Sequence, residues 1–202
     1  CISFAAENGM KIWLYDEFNW PSGSCGRRVP KLSREYCGKR LSKENGKVSM
    51  EYADPETAKF SADLLNPEAV DRFIEMTHEK YAERFSPYFG TTVLGFFSDE
   101  PGVQYFAEQD KPPYYNGAFE DYAKAYGRDA KADYLADEEG FYGRWNHLIG
   151  MRFQKTFLAK CGEWCESHGL LYTGHTFCDD GVCRSLQSCG NVFSALDHLS
   201  LP

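Results

Sequence analysis

Nowhere does the sequence run to the roughly 18 consecutive apolar residues that a membrane-crossing helix needs, so a helical bilayer span is excluded. Positive charge is also scarce. The 22 Lys and Arg stand against 30 Asp and Glu, a formal net charge of −8. This argues against nucleic acid or an anionic membrane surface as a partner, because both require a clustered positive field. Histidine is limited to 5 residues, none paired at ligand spacing, and the 8 cysteines include no C-x-x-C pair, so structural zinc is not expected. A disulfide framework is unexpected in a helix-rich chain of 202 residues, and free thiols favour a reducing, cytoplasmic compartment. No signal peptide is visible, and the first residue is Cys1 rather than Met, so the chain reads as a processed or excised piece of a longer one.

What remains is an ordinary globular composition, 43% hydrophobic and 26% charged, long enough for one well-filled core. Aromatic residues are plentiful, with 13 Tyr, 15 Phe and 4 Trp. Burial accounts for most such residues, but Tyr and Trp on loops also stack on the apolar faces of ligands such as sugars.

The chain is organised around Thr92-Val93-Leu94-Gly95-Phe96-Phe97-Ser98-Asp99-Glu100-Pro101. Residues 93–97 show no polar alternation, which predicts a strand buried on both faces, as in parallel sheets covered by helices. The acids therefore stand at the carboxyl end of the strand, where α/β barrels and open parallel sheets build their sites. A single solvated Asp-Glu pair after a strand would mean little, but the pattern recurs. Lys11-Ile12-Trp13-Leu14-Tyr15 predicts a second buried strand, ending on Asp16 and Glu17 and then a loop of turn formers, Phe18-Asn19-Trp20-Pro21-Ser22-Gly23-Ser24-Cys25-Gly26. Leu170-Leu171-Tyr172-Thr173 predicts a third, running into Gly174, His175, Asp179 and Asp180.

Between these strands lie helices and long inserts. Residues 27–65 are polar and irregular, with a hairpin predicted at Asn45-Gly46. Asn66-Pro67-Glu68 is a helix start, with an amide cap, proline at the first position and an acid in the first turn. Val70, Phe73, Ile74, Thr77, Tyr81 and Phe85 keep helical spacing, which predicts one helix to about residue 85 with His78 and Glu79 on its solvated face. Further helices are expected over residues 119–126 and 130–136, and the longest from Trp145 to Cys165, closed by Gly169. Strands alternating with helices imply right-handed parallel crossovers. Three strands cannot close an eight-stranded barrel, which takes about 250 residues. The chain is then either a segment of a barrel or a small open sheet.

Taken together, the strings Trp13-Leu14-Tyr15-Asp16-Glu17-Phe18-Asn19-Trp20-Pro21-Ser22-Gly23, Asn66-Pro67-Glu68-Ala69-Val70, Gly95-Phe96-Phe97-Ser98-Asp99-Glu100-Pro101 and Gly174-His175 resemble the catalytic barrel of α-L-rhamnosidase-like glycoside hydrolases, the kin of glycoside hydrolase family 106. The motifs span nearly the whole chain in the order of that family. The resemblance implies an α/β fold, a partial (β/α)8 TIM-type barrel with long βα-loop insertions. Residues 1–202 would form a single segment of it, incomplete at both ends, acting with the remainder of a parent chain on an oligosaccharide or glycoside. Its best characterised members are inverting and calcium-dependent, so the resemblance admits Ca2+ as a cofactor without assigning its ligands. Two departures from the pattern stand out: Cys25 replaces a small apolar residue, and Asp179 and Asp180 stand where glutamates are commoner.

Cleaving a glycosidic bond takes one carboxylic acid to protonate the leaving oxygen and a second carboxylate to activate water or attack the anomeric carbon. Glu100 is the candidate acid, its pKa expected to be raised by Phe96 and Phe97, and Glu17 the candidate partner. Asp16 and Asp99 are expected to orient neighbours or bind sugar hydroxyls, and Asn19, Trp20 and His175 to contact substrate. Two other readings stay open: a metal-dependent hydrolase using His175, Asp179 and a strand-end acid, and a non-catalytic carbohydrate-binding module.

Overall fold

The computed structural model describes residues 1–58, 61–103 and 111–201; residues 104–110 of the insert after Pro101 lie outside them. In chain order the elements are α1 Ile2–Glu7, β1 Ile12–Tyr15, α2 Arg28–Leu32, β2 Lys39–Glu44, β3 Lys47–Tyr52, α3 Pro67–Met76, α4 His78–Phe85, β4 Val93–Asp99 and β5 Pro113–Tyr114. They continue with α5 Ala118–Tyr126, α6 Ala130–Leu135, α7 Phe141–Phe153, α8 Ala159–Ser167, β6 Leu171–His175, α9 Val182–Ser188 and α10 Val192–Leu196. Among the described residues no helix is long and apolar enough to cross a membrane.

The three strands expected from the sequence pair in parallel in the order β1-β4-β6. Their register sets Tyr15 beside Phe97 and Asp99 beside His175, so the acids after β1 and β4 and the histidine of β6 share one carboxyl edge. Leu201 makes a further parallel bridge to Thr173 beyond β6. A second sheet, β3-β2-β5, is antiparallel and lies in the long insert, with Asn45-Gly46 turning the β2-β3 hairpin. Both turn residues have positive φ, as that tight turn requires.

One face of the parallel sheet is buried against helices. Leu14, Phe96 and Tyr172 lie in register across it, with Phe96 against Tyr81 and Trp164. The other face corrects the expectation of strands buried on both sides: Trp13 and Tyr15 are each 37% exposed, and Leu171 39%. Strand alternation puts these residues on the side away from the helices, where Gly95 leaves a flat spot under Trp13. A Cβ on Gly95 would stand 2.6 Å from the Trp13 ring.

The helix after Asn66 is capped as expected, Asn66 Oδ1 accepting the Glu68 N–H at 3.0 Å. It does not continue unbroken. Thr77, at φ −120 and ψ −78, separates α3 from α4, and its hydroxyl donates to the Phe73 carbonyl at 2.7 Å. The break turns His78 inward, against the expectation that it faces solvent. It is fully buried, stacked on Phe96 at 4.3 Å and edge-on to Trp164. Burial, with a smaller contribution from His168, drives its pKa down to about 3. Glu79 also has a partner, accepting the Trp164 indole N–H at 2.6 Å.

The longest helical stretch contains one π turn, Gln154–Leu158, between α7 and α8. Widening the helix there lets Thr156 donate to the Leu64 carbonyl at 2.7 Å and Gln154 to the Cys189 and Asn191 carbonyls, anchoring both long connections to one scaffold. All eight cysteines are free thiols.

Candidate functional site

The loop after β1 folds around Glu17. The Glu17 carboxylate accepts backbone N–H groups from Phe18 at 2.7 Å, Asn19 at 3.3 Å, Ser24 at 2.8 Å, Cys25 at 2.8 Å and Gly26 at 2.5 Å. Positive φ at Gly23, Cys25, Gly26 and Arg27 curls the chain so that these amides converge. With both oxygens occupied and 7% exposure, Glu17 holds its loop and presents no free lone pair to a substrate. The sequence expectation of a reacting carboxylate therefore meets a side chain already fully engaged.

Asp16 is equally withdrawn. It is 1% exposed, and its Oδ1 accepts the Ser22 hydroxyl at 2.6 Å, so it is out of reach of sugar hydroxyls. Burial, reinforced by Glu17 and Asp99 and opposed by the Ser22 hydrogen bond and the nearby Ser98 hydroxyl, pushes its pKa up to about 7.

The groups that do meet at the open edge come from all three strands. Trp20 Nε1 donates to Glu100 Oε2 at 2.8 Å. Glu100 adopts φ 50, and its N–H donates to the His175 carbonyl at 3.0 Å, so the chain turns the side chain aside as β4 ends. Tyr15 donates its hydroxyl to Asp99 Oδ2 at 2.9 Å, and Asp99 Oδ1 lies 3.3 Å from His175 Nε2. The other imidazole nitrogen, Nδ1, lies 3.5 Å from Asp179 Oδ2. Phe97 packs between Tyr15 and His175, with ring centroids at 6.4 and 6.0 Å, while Phe177 stands edge-on to Trp20 at 6.4 Å. Phe96, expected to shield Glu100, points instead into the helix layer, where it is fully buried. Asn19 is exposed, with its carbonyl 3.2 Å from the Tyr15 hydroxyl.

Of the residues singled out from sequence, Trp20, Asp99, Glu100 and His175 converge, with Asn19 at their margin, and Asp16 and Glu17 support them from behind. Tyr15, Ser22 and Phe177 enter without having been chosen. Strand alternation, which sets Tyr15 opposite Leu14, was the available signal for the first; nothing in the local sequence marked the other two.

The ligand set offered to a metal is poor. Asp99 and Asp179 occupy opposite nitrogens of the His175 ring, so the three cannot turn their donor atoms on one ion. Ca2+ takes six to eight oxygen ligands. Among the described residues no group of three or more His, Cys, Asp and Glu side chains is arranged to hold a metal. These residues do not fit a Ca2+ cage, nor do they supply the ligands of a metal-dependent hydrolase.

The fold has a relative of known structure. At 14% identity and a TM-score of 0.53, the chain is similar to a rhamnosidase from Novosphingobium sp. PP1Y. The match covers 79% of this chain and 14% of that one, so the chain spans about a seventh of the rhamnosidase's length. No protein-family model and no curated protein matches the sequence. The similarity concerns the α/β fold with its three parallel strands, and it is the parallel order that gives Glu100 and His175 a common edge.

Proposed function

We propose that the chain is a segment of a (β/α)8 glycoside hydrolase barrel and contributes part of a site that cleaves glycosidic bonds, with α-L-rhamnosides as the first substrates to test. The observation that carries this reading is the Glu100 carboxyl at the end of the central parallel strand, held by the Trp20 indole N–H at 2.8 Å and joined at the same edge by Asp99, His175 and Asp179. In this reading Glu100 is the general acid. The indole N–H bonds one carboxyl oxygen, leaving the other to carry the proton toward the glycosidic oxygen.

In this reading the roles differ from those expected from sequence. Glu17 becomes the organiser of the loop that delivers Trp20 and Asn19, because its oxygens are spent on that loop's own amides. The second carboxylate is then Asp99 or Asp179, or is supplied by the remainder of a parent chain. His175 sits between the two aspartates and can hold either one in place for water activation. Trp20, Phe177 and Tyr15 supply the aromatic faces and hydroxyl that suit a sugar ring, and Asn19 an exposed amide.

The test is Glu100→Gln, assayed for release of an aryl α-L-rhamnoside and for sugar binding. Loss of turnover by about 100-fold or more with binding retained supports the general acid role. Turnover unchanged in Glu100→Gln removes that role, and sugar binding without turnover in the unaltered protein favours the carbohydrate-binding reading instead. Asp99→Asn and Asp179→Asn, assayed alike, identify which aspartate is the partner: turnover lost in one points to it, and turnover kept in both points to a carboxylate outside this chain.

A further inference from the structure

Behind the open edge lies a carboxyl that the proposed chemistry does not use. Asp16 follows β1 into the layer between sheet and helices. It faces Ser98 of β4, Tyr172 of β6, and the Cys161 and Cys165 thiols of α8, with the Glu17, Asp99 and Tyr15 side chains on its outer side. Its Oδ1 takes the Ser22 hydroxyl proton at 2.6 Å. A serine hydroxyl has one proton, so giving it to Asp16 leaves the oxygen free to accept elsewhere.

What Ser22 accepts is the Asp99 N–H, at 2.8 Å, while its own N–H donates to the Asp99 carbonyl at 2.9 Å. Ser22 thus grips the Asp99 backbone on both sides, one residue before Glu100. Were the hydroxyl turned the other way, its proton would oppose the Asp99 N–H, two donors facing each other. Asp16 is what fixes the direction. The remaining Asp16 oxygen, Oδ2, is buried without a well-aligned partner, as are Ser98 Oγ and the Tyr172 hydroxyl beside it.

We propose that Asp16 is a positioning residue which, through Ser22, sets the backbone of the Asp99-Glu100 corner and so the placement of both carboxyls. A neutral Asp16 carries its proton on Oδ2, where Ser98 Oγ can accept it, and leaves Oδ1 as a plain acceptor for Ser22. The ionised form pulls harder on the Ser22 proton and sets a buried charge facing Glu17 and Asp99, so the corner shifts with the state of Asp16. The catalytic consequence rests on the glycosidase reading; the coupling itself does not.

The experiment follows the Asp99 and Glu100 backbone amide shifts by NMR from about pH 5 to about pH 9. In the unaltered protein both amides move together with a midpoint near the Asp16 value of about 7. In Asp16→Asn, which keeps an acceptor for Ser22 and cannot ionise, that movement disappears. In Ser22→Ala the Asp16 carboxyl still titrates by its own carbon shift, and the Asp99 amide no longer follows. No movement in the unaltered protein, the same movement in Asp16→Asn or Ser22→Ala, or its loss in His175→Gln, which removes the imidazole 3.3 Å from Asp99, overturns the proposal. These readings need no turnover, so they stand or fall apart from the glycosidase reading. If that reading holds as well, kcat in the unaltered protein changes across the same midpoint with KM unmoved, and in Asp16→Asn it does not.

Discussion

Trp20 and Glu100, 80 residues apart, are joined by a 2.8 Å hydrogen bond from indole to carboxyl that ties the loop after β1 to the end of β4. If Glu100 is the acid, this bond sets which of its oxygens faces the substrate. Replacing Trp20 by Phe keeps an aromatic face and deletes the donor. The expected outcome is a fall in kcat on the order of 10-fold, the loss of one hydrogen bond to the Glu100 carboxyl, with a smaller change in KM. Steady-state kinetics on an aryl glycoside measure it. A rise in KM alone would mean that the indole serves binding and not Glu100.

Glu17 gives a sharper division between scaffold and chemistry. Glu17→Gln replaces one carboxylate oxygen with an NH2 group that faces the loop's own N–H donors. The loop should loosen at a cost of about 2 to 4 kcal/mol, read from denaturant unfolding and from faster proteolysis within residues 18–26. A variant with unchanged stability and no turnover would return Glu17 to the reacting pair.

Two buried groups give stability a pH dependence of defined sign. Asp16 has its folded pKa raised to about 7, so the fold holds its proton more tightly than the unfolded chain does, and stability falls as pH rises from about 4 to about 7. His78 has its folded pKa lowered to about 3, so the unfolded chain binds that proton more readily, and stability falls as pH drops from about 6.5 toward 3. Asp16→Asn should remove the loss on the alkaline side, a gain of at most a few kcal/mol at about pH 8 and little at about pH 4. Chemical denaturation at those two values checks it, and equal effects at both would deny a buried, raised carboxyl.

Under the hairpin insert, Lys39 Nζ and Asp63 Oδ2 lie 2.8 Å apart with each side chain only 2% exposed. Lys39→Met strands a buried carboxylate and should cost about 3 to 5 kcal/mol, whereas Lys39→Met with Asp63→Leu should recover most of it. The double-mutant cycle in urea measures the coupling. A single variant as stable as the parent would show that the pair is not desolvated in solution.

Much of this molecule was written in short stretches of sequence. The hairpin at Asn45-Gly46, the amide cap at Asn66, the glycines closing helices at Gly127 and Gly169, and the three apolar runs ending in ionisable residues all depend on contacts within one turn or one strand. Those signals placed acids and a histidine at strand ends because side-chain polarity changes abruptly where a buried strand leaves the core. Which of them face each other was settled by longer-range packing. Parallel register brought Tyr15 to Asp99 across 84 residues, and a nine-residue loop closed on Glu17, whose carboxylate accepts five of its backbone N–H groups. His78 went inward because the Thr77 break re-aimed one turn of helix, and no periodicity count can see a break made by a hydroxyl bonding back to Phe73. The sequence alone marked the three apolar runs and the chemistry at their ends, although β4 and β6 each run two residues further than those runs, to Asp99 and His175. Only the tertiary structure decided which carboxyls are free to act, since that depends on every donor that reaches them from elsewhere in the chain.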